Sequence, residues 1–228
     1  MQKKQKSKSG DKKKADEPSM TLQGLEAAEI NVLRQRVITE APLRGYQSKS
    51  NGTLRFDRMP ISTKTLQGLT EANLHIATDI QAAAIPHALA SRDILGAAKT
   101  GSGKTLAFVI PIMERLYCEN WGPEDGLAAI IITPTRELAL QIFDVLRTVG
   151  KRHGFSAGLV TGGKKEFDGE QERIISMNIL VATPGRLLQV SFKIISSSPF
   201  VTVNIFFRKA LRTNKWLPGR PASDAGPR

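Results

Sequence analysis

The chain has 228 residues, 40% of them hydrophobic and 24% charged, an ordinary globular composition with apolar material for one sizeable core. A single cysteine, Cys118, excludes an internal disulfide, and three scattered histidines (His75, His87, His153) beside it leave no ligand set for structural zinc. The net charge of +12 sits in two tails: residues 1–14 hold seven lysines against Asp11, residues 190–228 hold seven basic residues against Asp224, and the 19 basic and 19 acidic residues between them cancel. No apolar stretch follows the N-terminal lysines, and no run approaches the ~20 residues of a membrane helix, so neither secretion nor contact with a membrane core is expected.

Taken in chain order, residues 1–19 read as a disordered basic tail with no apolar period. Such an arm is a solvated segment, a nuclear or nucleolar address, or a salt-sensitive grip on nucleic acid. Between 20 and 40, Leu22, Leu25, Val32, Leu33 and Val37 recur at helical spacing, and 41–53 is a turn-rich linker. From there the pattern alternates. A short strand is expected over Ser91–Ala97, a helix over 104–118, a buried strand over Leu127–Thr133 and a helix over 136–152. A strand over Ala157–Thr161, a helix over 166–176 and a strand over Ile179–Ala182 complete the series. Strands alternating with helices of this length predict an α/β fold, a parallel sheet with helices on both faces. Residues 190–228 break the rhythm with a serine run, Pro199, the apolar run Phe200–Phe207 and a Pro/Gly/Arg-rich end.

The strongest chemical signal is Ala98-Lys99-Thr100-Gly101-Ser102-Gly103-Lys104-Thr105, a Walker A loop with alanine in place of the first glycine. Its glycines let consecutive N–H groups curl toward phosphate oxygens, and the helix that follows adds its positive end. Lys104 is placed to meet β- and γ-phosphates, and the Thr105 hydroxyl to ligate Mg²⁺. The histidines have no catalytic partner at any fixed spacing, and Gly101-Ser102-Gly103 does not match a nucleophile elbow.

Further motifs follow in an order that resembles the DEAD-box family of ATP-dependent RNA helicases, and around the phosphate loop the stretch from Ile80 to Pro111 is similar to that family's nucleolar, ribosome-biogenesis branch. Thr78-Asp79-Ile80-Gln81 resembles the Q motif, with Phe56 at the upstream aromatic position, although Asn73, Leu74 and Ala77 stand where glycine, an aromatic and proline are usual. The resemblance implies that Gln81 reads the adenine edge while Phe56 stacks on its face, an amide being able to donate and accept at once. Pro134-Thr135-Arg136 begins a stretch that matches motif Ia, Gly162-Gly163 matches the glycine doublet, and Thr183-Pro184-Gly185-Arg186 matches motif Ib. In the family these hold the RNA sugar–phosphate backbone, a task suited to hydroxyls, glycine-flanked amides and arginine forks.

The resemblance covers roughly residues 50–189 and implies a RecA-like P-loop domain over 54–189, with ATP and Mg²⁺ as cofactors, RNA as ligand, pre-ribosomal proteins as partners and a nucleolar location. It also implies an Asp-Glu-Ala-Asp tetrad beyond Arg186. None occurs, and the only acidic residue after Arg186 is Asp224. The reading is therefore of a domain incomplete at its C-terminal end, leaving the family at about Val190, able to bind ATP and unable to hydrolyse it alone. A second reading stays open: a non-enzymatic RNA- or protein-binding chain with a residual nucleotide site.

Overall fold

In the computed structural model the described residues are 21–45, 53–162, 174 and 176–188. The segment Ile179-Leu180-Val181-Ala182 has no polar side chain on either face, so it belongs between two layers. It forms the central strand, β3 (Ile179–Ala182), with all four residues buried. The neighbours are β1 (Ala129–Ile132) and β2 (Ala157–Val160), both parallel to it, in the order β1-β3-β2. Ile131 and Leu159 lie opposite Val181 in register. Each edge strand alternates buried and half-buried residues, as a strand covered more fully on one face should.

Two helices cover one face: α4 (Lys104–Cys118) and α5 (Arg136–Val149). Val109, Ile110 and Met113 of α4 and Ile142 and Leu146 of α5 pack with Ala129, Ile131, Ile179 and Val181. On the opposite face Leu180, Ala182 and Val160 meet Ile174 and Leu187, and residue 174 and residues 184–188 are helical. The expected parallel α/β sheet with helices on both faces is therefore present.

Three α-helices precede α4. α1 (Leu22–Thr39) fulfils the expected helix over 20–40 and seats Ile30 and Leu33 against Tyr117. α2 (Thr63–Glu71) and α3 (Asp79–Leu89) were not anticipated as helices. α3 carries Pro86 and four alanines, which hide its periodicity. Its partner is α4, and Ile85 enters the same core. The helix expected over 136–152 ends one turn early, and Gly150–Arg152 is a tighter 3₁₀ turn, a common finish for a helix.

The strand expected over Ser91–Ala97 is absent. Those residues form a loop, and the main chain of Asp93–Ala97 makes no hydrogen bond among the described residues. A parallel strand exists only as part of a ladder, and no described strand lies alongside this segment to supply one. Residues 1–19, 190–228 and all of the helix expected over 166–176 except Ile174 and Ser176 lie outside the described residues, as do 46–52 of the linker.

A line of polar groups crosses the interior between α4, α2 and the turn after α5. Glu114 accepts from the Ser62 amide and hydroxyl, both at 2.8 Å, and Ser62 also N-caps α2. Thr65 joins this line to His153, with 2.8 Å between Oγ1 and Nε2, and the His153 ring stacks on Phe155. Burial pushes the Glu114 carboxyl up to about 7, against the opposing pull of its hydrogen bonds from Thr65 and Ser62. Burial likewise holds the His153 imidazole down to about 4, with Lys64 acting in the same direction. The two groups oppose one another in their pH dependence. Stability from a protonated Glu114 is present below its ordinary 4.5 and is lost as pH rises through 7. Stability from a neutral His153 is present above its ordinary 6.5 and is lost as pH falls through 4.

Two predictions follow from this packing. Glu114→Gln removes one of the opposed terms, so denaturant-unfolding stability should rise more steeply between pH 4.5 and 6.5 than in the unaltered chain; an unchanged slope would show that burial does not perturb Glu114. At Gly68 of α2, an added methyl group would run into the Val149 carbonyl at the end of α5. Gly68→Ala should therefore cost about 1–3 kcal/mol, read as a fall in Tm, and an unaltered Tm would contradict this packing.

Candidate nucleotide and nucleic-acid site

Two glycines give the Ala98–Thr105 loop its shape. Gly101 has φ +80° and Gly103 has φ +83°, the left-handed region that side chains disfavour. Gly103 is the N-cap of α4, so the helix begins at Lys104 and its first amides have no intrahelical acceptor. Beside Gly101 nothing lies within 4 Å of where a side chain would project, and the loop is open on that side. The Lys104 ammonium folds back into the loop and donates to the carbonyls of Ala98 and Lys99, both at 2.6 Å, with Ser102 Oγ at 3.5 Å. Glycine-shaped backbone, a helix N-terminus and a lysine turned inward make a set of donors suited to a polyphosphate. Thr105, half-buried in the first turn of α4, carries a hydroxyl of the kind that can ligate Mg²⁺. Among the described residues no cluster of three His, Cys, Asp or Glu side chains adds to it. A magnesium ion there would be held mainly by phosphate oxygens and water.

The Q-like segment is tied directly to this loop. Gln81 is buried in the first turn of α3; its Oε1 accepts from the Thr78 amide at 2.8 Å and its Nε2 donates to the Gly103 carbonyl at 3.0 Å. The Thr78 hydroxyl donates to the Ser102 carbonyl at 2.8 Å. Thr-x-x-Gln is a capping-box spacing, the sequence signal from which the Gln81 contact to the Thr78 amide was available. Gln81 therefore spends one hydrogen-bonding position at each end of its amide on the protein. Phe56 does not join the site. At 2% exposure it sits in the core with Met59, Ile61 and Leu69, so in this conformation its ring has no face to offer a base.

The three other motifs lie at the carboxyl ends of the strands. Since Ile132 and Val160 both stand opposite Ala182, the residues that follow all leave one edge of the sheet. Thr135 N-caps α5 by accepting from the Leu138 amide at 3.2 Å, and Pro134 and Arg136 are exposed beside it. The Arg136 guanidinium lies over Gly162, where an added side chain would meet its Nη2 at 3.3 Å. Thr183 donates its amide to the Val160 carbonyl at 3.1 Å, and Pro184 and Gly185 are exposed next to it. Arg186 departs from expectation: it is 4% exposed, so its guanidinium is built into the protein rather than presented on the edge. Gly163 lies outside the described residues.

A family model described as DEAD/DEAH box helicase matches residues 78–205, more than half of the chain and past Val190, where the family-like sequence was expected to stop. A DEAD-box ATP-dependent RNA helicase 32 of Arabidopsis thaliana is 52% identical over 189 residues, covering 72% of this chain and 26% of that protein. The chain thus spans about a quarter of that relative's length. A DEAD box protein from the hyperthermophile Methanococcus jannaschii matches in structure with a TM-score of 0.57 and 31% identity, over 65% of this chain and 40% of that one. The DEAD-box helicase Mss116 bound to ssRNA and UDP-BeF matches with a TM-score of 0.55 and 30% identity, over 60% of this chain and 29% of that one.

At Gly103 an added methyl group would run into the Gln81 amide, and the backbone angle disfavours any side chain. Gly103→Ala should therefore cost about 2 kcal/mol or more, seen as a lower Tm, and Gln81→Ala in the same chain should recover the part due to collision. Additive losses from the two changes would mean that Gln81 does not rest on Gly103.

Proposed function

The chain belongs to the DEAD/DEAH box helicase family, and on that premise we propose that it supplies the ATP-phosphate site and one part of the RNA-binding edge of an ATP-dependent RNA helicase. The observation that carries this reading is the Lys104 ammonium held inside a loop shaped by Gly101 and Gly103. On nucleotide binding, Lys104 exchanges the carbonyls of Ala98 and Lys99 for the β- and γ-phosphate oxygens, a charge-assisted contact in place of two neutral ones. The amides of the loop and of the first turn of α4 take the remaining oxygens, and Thr105 turns its hydroxyl to the ion. Bound Mg²⁺ would offset phosphate charge. Gln81 keeps the loop registered to α3 while its remaining amide hydrogen and lone pair are available to a base.

RNA is proposed to lie along the carboxyl edge of the sheet, against the Pro134-Thr135-Arg136 turn, Gly162 and the Thr183-Pro184-Gly185 turn. Hydroxyls, helix-start amides and the exposed Arg136 fork grip phosphate and sugar without reading sequence. An RNA-bound neighbour in the structural comparison supports that assignment. The lysine arm of residues 1–14 and the nucleolar-branch resemblance around the phosphate loop support a role in rRNA processing with pre-ribosomal partners. Hydrolysis by these 228 residues alone is not expected, since Asp224 is the only carboxylate side chain after Arg186.

Fluorescent ATP-analogue binding to the whole chain, with and without Lys104→Ala, tests the proposal. The loss of a charge-assisted phosphate contact should weaken binding by about 10–100-fold. Affinity indifferent to that change would favour the non-enzymatic reading, in which the loop no longer serves a nucleotide.

A further inference from the structure

α1 is fastened to the rest of the chain more by polar contacts than by apolar ones. Of its 18 residues only Ile30 and Leu33 are buried, in a small cluster with Tyr117, and no residue of α1 enters the main core. Leu22, Leu25, Val32 and Ile38 are exposed. A helix that commits so little apolar surface depends on its polar contacts to stay docked. Those contacts converge on one carboxylate. Glu29 Oε1 accepts from both the amide and the hydroxyl of Thr63, at 2.7 and 2.6 Å, and Oε2 accepts from the Tyr117 hydroxyl at 2.6 Å. Three residues earlier, Glu26 pairs with Lys64 at 2.8 Å. Burial works to raise the Glu29 carboxyl, but the hydrogen bonds from Thr63 and Tyr117 outweigh it and hold the group below its ordinary value. Of the two hydroxyls on Glu29, that of Tyr117 belongs to a buried residue and that of Thr63 to an exposed one.

We propose that Thr63 is a phosphorylation site and that a phosphate there unlatches α1. A serine/threonine kinase transfers the γ-phosphoryl group of a nucleoside triphosphate. A bond forms between Thr63 Oγ1 and phosphorus, the bond from phosphorus to the bridging oxygen breaks, the nucleoside diphosphate leaves, and the hydroxyl proton passes to the kinase's base. The 2.6 Å hydrogen bond to Glu29 thereby loses its donor, and a group of about two negative charges takes the proton's place against the carboxylate. Lys64, next in sequence, is drawn from Glu26 to the stronger anion. One modification thus undoes both pairings between α1 and the start of α2. What remains is Ile30 and Leu33 on Tyr117, with Arg34 donating to the Cys118 carbonyl and Arg36 to the Arg58 carbonyl. The main core holds no α1 residue, so the strap leaves while the sheet, α4 and α5 stay folded. This inference stands whether or not the phosphate loop binds nucleotide.

Hydrogen-exchange mass spectrometry of the whole chain, unmodified and with phosphothreonine placed at position 63 during translation, tests it. The amides of 22–39 should exchange about a hundredfold faster in the phosphorylated chain, while those of β3 and α4 keep their rates. Thr63→Val removes the hydroxyl without adding charge and should raise the α1 rate by about tenfold or less. Protection of α1 unaffected by the phosphate overturns the proposal. An effect no larger than that of Thr63→Val overturns it too, since the charge would then play no part. Should the phosphate also expose β3, Glu29→Lys in the phosphorylated chain decides. A lysine at position 29 gives the phosphate a cation to pair with, so α1 should regain about tenfold or more of its lost protection; no recovery refutes the latch.

Discussion

A left-handed glycine at the start of α4 is the constraint on which the site depends. Gly103 turns the chain into the helix at a backbone angle that other residues avoid, and the Gln81 amide occupies the space where a side chain would be. This one contact links α3 to α4 at the phosphate loop, where the helix begins at Lys104 and its first amides have no intrahelical acceptor. The apolar packing of Ile85 with Val109 and Ile110 holds the same pair of helices from beneath. A polar hook above and an apolar seam below together tie the loop to α3.

The sheet supplies the second half of the site by register alone. Because β1, β3 and β2 run parallel and end in the same row, Thr133, Thr183 and Thr161 follow side by side, and the turns after them share one edge. Nothing in the individual motifs brings Arg136 over Gly162; strand order does. Parallel topology thus brings separate short sequences to one edge of the sheet.

Much of this was legible in the residues. α4 and β3 appear at the bounds expected of them, since each is an apolar run closed off by a glycine, a threonine or a charged residue. The Ala98–Thr105 loop was readable because glycine at 101 and 103 announces its left-handed backbone angles. What was not legible depended on neighbours distant in sequence. Ile94 and Leu95 have the composition of a strand, but a ladder needs a second chain segment that composition does not name. Phe56 and Arg186 are residue types found both in binding sites and in interiors, and only packing decides between the two; here both are buried. The Glu114–Ser62–Thr65–His153 line joins residues up to 91 positions apart, from Ser62 to His153, and no local pattern marks it.

The most direct test of the account is amide NMR of the whole chain titrated with ATP and Mg²⁺. The account predicts the largest shifts at the amides of Gly101, Ser102, Gly103 and Lys104, together with the Gln81 side-chain amide. Saturating nucleotide that leaves those five signals in place while moving others would contradict it.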